Sequence, residues 1–447
     1  MKEVYDYIES NKERYIEWLQ ELCRQPSVAA QNRGMKETAT LVEYYLHQTS
    51  ASTEQLSTSG YPVVFAEVNT NAEKTLSFYN HYDVQPEDPI ELWESAPFEA
   101  EIRNGKMYAR GVADNKGNLM ARICAVHAYE QVYGKLPINV KFIIEGEEEI
   151  GSVHLDEFAS KYPDKIASDG CIWEFGYKNP NGRLQVSLGV KGMCYVELRA
   201  RGANTDLHSA NAAVIKNPAW RLIWALQTLK DENENILIDG FYDGVLEPDE
   251  TETQLLEAME YEEREILSSL GLDSFLLNLD GLELKKKLLF QPTCTICGVE
   301  SGYTGEGSKT VLPSFAKAKL DFRLVGEQNP DKVFQLLREH LDRNGFTDIE
   351  AVQLSGCHPA KTDPNDPLVR TVVDNVKDVY GQEPVVLRNT PGTGPMYDLC
   401  QKYNIPAISL GVGNEDSRNH APNENIAIDD YILGIKMMSK IIHEFAN

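Results

Sequence analysis

Apolar and polar positions follow two different periods along the first 190 residues of the chain. Residues from Val4 to Leu22 place apolar side chains at helical spacing, so the pattern predicts an amphipathic helix there. Short apolar runs and further helical stretches then alternate. The predicted strands cover residues 63–68, 75–79, 140–144 and 171–173, and the predicted helices cover residues 37–48 and 118–133. Alternating strands and helices are typical of an α/β fold with a mostly parallel central sheet flanked by helices.

The pattern changes near Gly189. Residues 193–200 alternate between apolar and polar, which predicts a half-exposed antiparallel strand. The other predicted elements are an acidic, mostly helical stretch over residues 231–284, strands over 316–323 and 349–354, and helices over 218–229 and 330–343. After Gly356 the strand–helix alternation returns. Because 447 residues exceed one hydrophobic core, we expect two domains, a discontinuous α/β domain of residues 1–190 and 357–447 and an inserted α+β domain of residues 191–356.

The charge of the chain excludes some classes of partner. A formal net charge of -26 lacks the basic footprint that nucleic acid or an anionic membrane requires, so we expect neither as a partner. The first twenty residues are too charged for a secretion signal, and no apolar run has membrane-spanning length. The eight cysteines are scattered, mostly in apolar segments. We therefore expect reduced thiols in a cytoplasmic protein.

A run of carboxylates follows the predicted strand over residues 140–144. Glu145, Glu147, Glu148 and Glu149 crowd together where that strand leaves the core, although like charges repel there. A metal cation would supply the missing counter-charge, and a solvated acidic turn is the alternative. Side chains of adjacent loop residues diverge, so one of two neighbouring glutamates could bind a metal while the other acts as a general base.

Other candidate ligands lie just past predicted strand ends or in loops. His81 and Glu174 follow strands, and open α/β sheets bind ligands outside the carboxyl ends of their strands. In His81-x-Asp83 the carboxylate could fix the tautomer of a metal-binding imidazole. Asp114 precedes a helix and could equally be its N-cap. His420 lies in a polar loop and could equally be solvated.

The order of these motifs resembles that of the dinuclear zinc metallopeptidases of the aminoacylase, carboxypeptidase G and carnosinase family. The matching elements are H-x-D at residues 81–83, G-x-x-D-x-K-G at 111–117, E-G-x-E-E-x-G-S at 145–152, the carboxylate at 174, and H-x-x-N-E at 420–424. The resemblance runs from the first helices to the last. It is closest to the carnosinase-like cytosolic dipeptidases.

The resemblance implies a role for each of these residues. Its two metal-ligand sets overlap: His81, Asp114 and Glu174 would hold one divalent metal, and Asp114, Glu149 and His420 would hold the other. Glu148 would be the general base that activates a metal-bridging water, and Asp83 would orient His81. Glu147 fills the variable position of the motif, and we expect it to be solvated. Oxygen ligands with two imidazoles suit zinc, manganese or cobalt, of which zinc is the first expectation.

The resemblance also gives the inserted domain a role. Asp206-Leu207-His208-Ser209 resembles the D-L-H-S element of a ferredoxin-like lid through which the family forms homodimers. His208 would reach the active site of the partner subunit and stabilise an oxyanion there, and a histidine on the lid surface is the alternative. The implied contacts to the substrate carboxylate come from Arg323, from Thr310 of the partner chain, and from the backbone N–H groups of Gly392, Thr393 and Gly394.

Two departures from the family pattern leave the substrate open. Glu174 stands where carnosinase-like and peptidase T-like enzymes usually carry aspartate, whereas enzymes of the carboxypeptidase G, aminoacylase and desuccinylase types carry glutamate. Ala210-Asn211 replaces the Gly-Gly that often follows D-L-H-S. We expect metal-dependent hydrolysis of an amide bond in dipeptides or short peptides with a free carboxylate. The alternatives are deacylation of acetyl- or succinyl-amino acids with the same site, and an inactive homologue that only binds a ligand.

Overall fold

The structure is a computed structural model that describes all 447 residues. It contains fourteen α-helices. They are α1 (Lys2–Ser10), α2 (Lys12–Arg24), α3 (Met35–Leu46), α4 (Gly117–Tyr133), α5 (Leu155–Lys161), α6 (Pro163–Ile166), α7 (Pro218–Gln227), α8 (Glu250–Ala258), α9 (Glu263–Leu270), α10 (Gly281–Phe290), α11 (Pro330–Arg343), α12 (Pro367–Tyr380), α13 (Met396–Leu399) and α14 (Ile428–Glu444). None of these helices combines the length and the apolar character that crossing a membrane requires.

The chain also forms twenty-one β-strands, many of them short. They are β1 (Ser52–Leu56), β2 (Val63–Val68), β3 (Thr75–His81), β4 (Glu101–Arg103), β5 (Lys106–Tyr108), β6 (Asn139–Glu145), β7 (Gly170–Trp173), β8 (Tyr177–Lys178), β9 (Gln185–Ser187), β10 (Gly189–Val190), β11 (Gly192–Arg201), β12 (Leu207–His208), β13 (Thr293–Ser301), β14 (Val311–Leu312), β15 (Phe315–Leu324), β16 (Glu350–Cys357), β17 (Ala360–Lys361), β18 (Val385–Leu387), β19 (Ala407–Ser409), β20 (Gly413–Asn414) and β21 (Asn425–Ala427).

Eight strands form the central sheet in the order β1-β2-β6-β3-β7-β19-β9-β18. The pairs β6–β3, β3–β7, β7–β19 and β9–β18 are parallel, and the other three pairs are antiparallel. Alternate residues of a strand face opposite sides of a sheet. Accordingly Phe142 belongs to the core beneath α4 and α14, whereas Ile143 belongs to the core beneath α5 and α13. The mostly parallel α/β sheet expected from the sequence is confirmed.

A second sheet lies within residues 192–357 and has the order β13-β15-β11-β16, with every pair antiparallel. The elements follow one another as β11-α7-β13-β15-α11-β16, which is the ferredoxin-like connection expected for this part of the chain. β15 alternates between buried and more exposed residues, and its buried residues join a core with those of α7 and α11. The domain boundaries at residues 190 and 357 stay a prediction.

Two of the predicted helical stretches differ from the structure. The N-terminal helix is divided into α1 and α2 at Asn11, whose φ of -113° and ψ of 15° lie outside the helical range. In the acidic stretch the helices are α8, α9, a 3-10 turn at Leu276–Asn278 and the start of α10. Before them, the Asp231 carboxylate accepts the backbone N–H groups of Asn233 and Asn235, and this local turn competes with a helix.

Candidate metal centre

The carboxyl ends of three neighbouring strands carry most of the candidate site. His81 is the last residue of β3, Glu174 directly follows β7, and Glu148 and Glu149 form a short 3-10 turn after β6. These strands lie in the order β6-β3-β7 and run parallel. Because the carboxyl ends of parallel strands meet at one edge of a sheet, residues far apart in sequence converge there.

Asp114 reaches the same edge from the turn that precedes α4. Its own φ of -126° and ψ of 85° interrupt that turn, and the N-cap position of α4 belongs to Lys116. The alternative that Asp114 caps the helix is therefore not observed. Instead its carboxylate lies between the two histidines of the site, with Oδ1 at 3.1 Å from His81 Nε2 and Oδ2 at 3.2 Å from His420 Nε2.

Two groups of potential metal ligands share Asp114. On one side His81 Nε2 also lies 3.1 Å from Glu174 Oε2, and on the other His420 Nε2 lies 3.1 Å from Glu149 Oε2. Around a tetrahedral zinc ion with bonds of about 2.0–2.1 Å, neighbouring ligand atoms are about 3.3 Å apart. The spacing within each group is therefore close to that of ligands around one metal ion.

The electrostatics of the site also fit bound cations. Glu149 Oε1 and Glu174 Oε2 are buried and accept no hydrogen bond within the chain. Burial by itself would lower the pKa of His81, but Glu174, Asp114 and Asp83 raise it well above its usual value. Hydrogen bonds to Asp114 and Glu149 raise the pKa of His420 to about 10. Positive charge is thus favoured in the middle of this carboxylate cluster, and two divalent cations would supply it.

Glu148 lies beside the ligand group that contains His81 and Glu174. Its carboxylate comes within 4.8 Å of ligand atoms of His81 and Glu174. Burial raises the pKa of Glu148 well above its usual value, and the negative charge of Glu174 raises it further. A buried carboxylate beside a metal centre is placed to act as a general base.

Asp83 contacts both His81 and the glutamate turn. His81 Nδ1 lies 3.0 Å from the backbone carbonyl oxygen of Asp83 and 3.4 Å from the side-chain Oδ1. The carboxylate accepts the backbone N–H groups of Glu148 at 3.2 Å and Glu149 at 3.0 Å. The shortest contact of the His81 imidazole with Asp83 is therefore to the backbone carbonyl oxygen. The Asp83 side chain mainly holds the backbone of the glutamate turn.

The other two glutamates of the run are also buried and hydrogen-bonded. The expectation that Glu147 is solvated is wrong, because only 5 % of the residue is exposed and Oε2 lies 2.8 Å from His154 Nδ1. Glu145 accepts hydrogen bonds from the hydroxyl groups of Tyr79 and Ser152. Both side chains are therefore held inside the protein by hydrogen bonds and do not face solvent.

Glu424 contacts the site in a way that the sequence did not predict. Its buried carboxylate accepts the backbone N–H groups of Gly111 at 2.8 Å, Ala113 at 2.9 Å and Asp114 at 3.0 Å, and Arg110 Nη1 donates to it at 2.8 Å. The contacts fix the turn that presents Asp114. The only sequence signal for this role was the place of Glu424 in the H-x-x-N-E motif.

The candidate substrate-binding residues fall into two groups. Arg323 reaches the α/β domain, where Nη1 donates to Thr393 Oγ1 at 2.7 Å, and a Cβ on Gly394 would lie 3.9 Å from Glu174 Oε1. His208 and Thr310 lie elsewhere, on the paired strands β12 and β14 and the residue before β14, and both are exposed. The structure therefore places Gly392 and Thr393 in the wall of the cavity at the metal centre, with Arg323 bonded to Thr393 and Gly394 beside Glu174. It leaves His208 and Thr310 on the lid surface of their own chain.

A cavity of about 950 Å³ opens onto the metal centre. Asp114, Glu148, Glu174 and His420 line it together with Gly392 and Thr393. Another wall comes from the acidic stretch, which therefore borders the candidate active site; its lining residues are Met259, Glu260, Tyr261, Glu262, Glu265, Ile266 and Ser269. Ligand pockets commonly measure about 300–1,000 Å³, and this volume lies at the upper end of that range.

The sequence matches the family model described as peptidase family M20/M25/M40 over residues 77–444. The chain belongs to this family, and it is a metallopeptidase with a candidate two-metal site. The resemblance found in the sequence is thereby confirmed. The roles of the individual site residues stay predictions.

Similar proteins include both dipeptidases and a carboxypeptidase. The chain is 30 % identical to the Beta-Ala-His dipeptidase of Homo sapiens over 395 residues, which cover 86 % of this chain and 78 % of that one. It is 26 % identical to the Cys-Gly metallodipeptidase dug1 of Schizosaccharomyces pombe over 478 residues, covering 100 % and 98 %. Among solved structures, the M20 family metallo-carboxypeptidase Sso-CP2 of Sulfolobus solfataricus superposes with a TM-score of 0.92 at 43 % identity, covering 97 % and 99 %.

Proposed function

We propose that this protein hydrolyses the amide bond next to a free carboxylate in dipeptides or short peptides, with two divalent cations bound in the candidate site. The observation that carries the proposal is the placement of the two Asp114 oxygens. Oδ1 faces His81 and Oδ2 faces His420, and a second carboxylate completes each group. This arrangement supports a shared ligand between two cations.

Residues of the chain would divide the chemical work. Two bound cations, with zinc as the first expectation and manganese or cobalt as alternatives, would polarise the scissile carbonyl and lower the pKa of an attacking water. Glu148 would accept the proton of that water and transfer it to the leaving amine, because its carboxylate lies beside His81 and Glu174 of the metal site. Asp83 holds the backbone of Glu148 in place for this transfer.

Arg323 is positioned to bind the carboxylate of the substrate. Its Nε donates to Asp321 Oδ2 at 2.8 Å and its Nη1 donates to Thr393 Oγ1 at 2.7 Å, whereas Nη2 makes no hydrogen bond within the chain. A guanidinium group held in this way offers a fixed donor to a carboxylate. The backbone N–H groups of Gly392, Thr393 and Gly394 would bind the same end of the substrate.

The protein would act as a homodimer joined through the lid domain. The edge strand β13 exposes Ile296 and Val299, and α7 exposes Trp220, Ile223 and Trp224 at the spacing of one helix face. An exposed edge strand and an exposed apolar helix face are suited to pack against a second copy of the chain. His208 and Thr310 would then complete the site of the partner.

The cytoplasmic location remains a prediction, supported by eight free cysteines.

Two observations favour related activities on the same site. The large cavity and the 43 % identity to a metallo-carboxypeptidase favour removal of the C-terminal residue from peptides longer than two residues. Glu174, where aspartate is usual in dipeptidases, keeps deacylation of acetyl- or succinyl-amino acids as a further candidate. All proposed ligands and Glu148 are present, which argues against an inactive ligand-binding homologue.

A substrate panel tests the proposal and separates these candidates. The kcat/KM values would be measured for dipeptides, tripeptides, their C-terminal amides, and acetyl- and succinyl-amino acids. We expect peptides with a free carboxylate to be hydrolysed, their amides to be poor substrates, and chelation to abolish turnover until zinc, manganese or cobalt is restored. Hydrolysis of acyl-amino acids alone would contradict the peptidase assignment, and turnover that survives chelation would contradict metal dependence.

A further inference from the structure

Arg122 lies beneath the candidate metal centre and is buried, with 1 % of the residue exposed. It belongs to α4 and forms no ion pair with any carboxylate of the chain. A buried guanidinium is costly unless its donors are satisfied. The hydrogen-bond acceptors of the Arg122 guanidinium group therefore show why the charge is tolerated at this position.

The donors of Arg122 bridge the two strands that carry His81 and Glu174. Nη1 donates to the backbone carbonyl oxygen of Tyr79 on β3, and Nη2 donates to the backbone carbonyl oxygen of Trp173 on β7. Tyr79 precedes His81 by two residues, and Trp173 directly precedes Glu174. One side chain thus holds the carboxyl ends of both strands.

This bridge begins where the strand pairing ends. The registered pairs of β3 and β7 are Leu76 with Gly170, Ser77 with Cys171, and Phe78 with Ile172, and no later pair follows. Tyr79 and Trp173 would form the next pair, and their rings still stack with centroids 3.9 Å apart. Arg122 therefore replaces the missing ladder hydrogen bonds at the position where the two ligand-bearing ends could otherwise separate.

A second chain of hydrogen bonds connects Arg122 to the Asp114 turn. Nη1 also donates to Asn80 Oδ1 at 2.7 Å, and Asn80 Nδ2 donates to Asn115 Oδ1. Asn115 Nδ2 donates to the backbone carbonyl oxygen of Glu174 at 2.8 Å. The buried network thus closes on Glu174, and it includes the residue that follows Asp114.

We propose that Arg122 is a positioning residue that sets the separation of His81 and Glu174, and with it the affinity for the metal ion that these two residues share with Asp114. The guanidinium fork can reach two strands at once, whereas a lysine ammonium on a single stem cannot reproduce this geometry. A positive charge at residue 122 is therefore not sufficient to hold the two strands together. The inference rests on the two-metal site of the proposed function.

The test compares metal affinity in the wild-type protein and in Arg122→Lys and Arg122→Met variants. Metal-free full-length protein is titrated with Zn²⁺ in competition with a chromophoric chelator, and the stability of each metal-free variant is measured by thermal unfolding. Lys141→Met is the matched control, because Lys141 is also buried in the central sheet and donates only to backbone carbonyl oxygens, those of Asp164 and Ala167.

We expect both Arg122 variants to bind one of the two zinc ions about 10–100-fold more weakly, while the other site changes much less, since residues behind metal ligands commonly affect affinity by that factor. Lys141→Met should lower the unfolding temperature without changing either affinity. Arg122→Lys with wild-type affinity at both sites, or equal losses in Arg122→Met and Lys141→Met, would overturn the positioning role alone. A wild-type protein that binds fewer than two zinc ions would overturn the two-metal proposal as well.

Discussion

The Asp83 carboxylate accepts the backbone N–H of Glu149 at 3.0 Å. Asp83 follows β3 by two residues, whereas Glu149 lies in the turn after β6, so this contact fastens one strand end to the other. The same side chain accepts the backbone N–H of Glu148 and lies 3.4 Å from His81 Nδ1. Asp83 therefore connects one proposed metal ligand to a ligand of the second metal and to the proposed base.

This double role predicts the effect of Asp83→Asn. The variant keeps the size of the side chain but brings an amide N–H₂ group towards two backbone donors and removes the negative charge near His81. We expect kcat/KM to fall by about 10–100-fold and zinc affinity to fall with it, as for other carboxylates behind metal ligands. Kinetics with saturating zinc separate the two effects. If this variant keeps the wild-type kcat/KM and the wild-type zinc affinity, the contacts of Asp83 contribute to neither catalysis nor zinc binding.

The adjacent residues Glu147 and Glu148 offer a matched pair of substitutions. Glu148→Gln removes the proposed base without changing volume, so we expect kcat to fall by about 10²–10⁴-fold while the metal content stays at two ions per chain. Glu147→Gln changes a buried carboxylate that bonds to His154, away from the ligand groups, and should leave kcat close to that of the wild type. Metal analysis of the purified variants verifies that both sites are loaded.

The base assignment is wrong if Glu148→Gln retains wild-type turnover, or if it loses turnover only because it no longer binds metal. It is also wrong if Glu147→Gln is the more damaging of the two substitutions. Any of these three results would remove Glu148 as the proposed base.

Convergence of the metal ligands could be predicted from the sequence because it depends on topology. His81, Glu148, Glu149 and Glu174 each follow an apolar run that is recognisable as a strand, and parallel strands bring their carboxyl ends together. The family resemblance then divided these residues between two cations. No knowledge of side-chain contacts was needed for this step.

The support behind the ligands could not be predicted in the same way. Arg122 lies in a helix that is buried over most of its length, and Glu424 lies in a loop more than 300 residues from the Asp114 turn that it holds. Glu147 looks solvated in an acidic run, but the fold places His154 against it. Such contacts depend on which distant segments meet, and a hydrophobic pattern carries no information about the polar partner of a buried group.

The buried side chain of His127 should make the stability of the fold depend on pH, independently of catalysis. His127 Nδ1 lies 2.9 Å from the Tyr15 hydroxyl in the core between α2 and α4, and burial lowers its pKa to about 4. An unfolded histidine has a pKa of about 6.5, so between these values the unfolded chain binds the additional proton. The native state therefore loses this stability as the pH falls from about 6.5 towards 4, and keeps it in full above about 6.5.

Thermal unfolding of the metal-free protein at several pH values checks this expectation. The unfolding temperature of the wild type should fall more steeply between pH 7 and pH 5 than that of His127→Gln, which cannot gain the proton. His47→Gln is the control, because His47 is exposed and its side chain hydrogen-bonds to Thr53. Parallel curves for the wild type and His127→Gln would contradict a lowered pKa at this histidine.

Mixed dimers test whether the lid of one subunit completes the site of the other. His208 is exposed and does not line the cavity of its own chain, so the proposal requires that it act in the partner's site. His208→Ala and Glu148→Gln homodimers should each be nearly inactive. When the two variants are co-expressed with different tags and the heterodimer is isolated, the site that contains the wild-type Glu148 receives the wild-type His208 from the other chain.

One complete site per heterodimer should restore about half of the wild-type kcat, because a two-fold dimer has two equivalent sites. A monomeric variant, with Ile223→Glu and Trp224→Glu on the exposed face of α7, should lose activity without losing zinc, since no partner lid would be available. If the heterodimer is as inactive as the two homodimers, His208 does not act in trans. Full activity of a monomer in sedimentation experiments would exclude the proposed exchange of lid residues altogether, and His208 would then be a surface histidine.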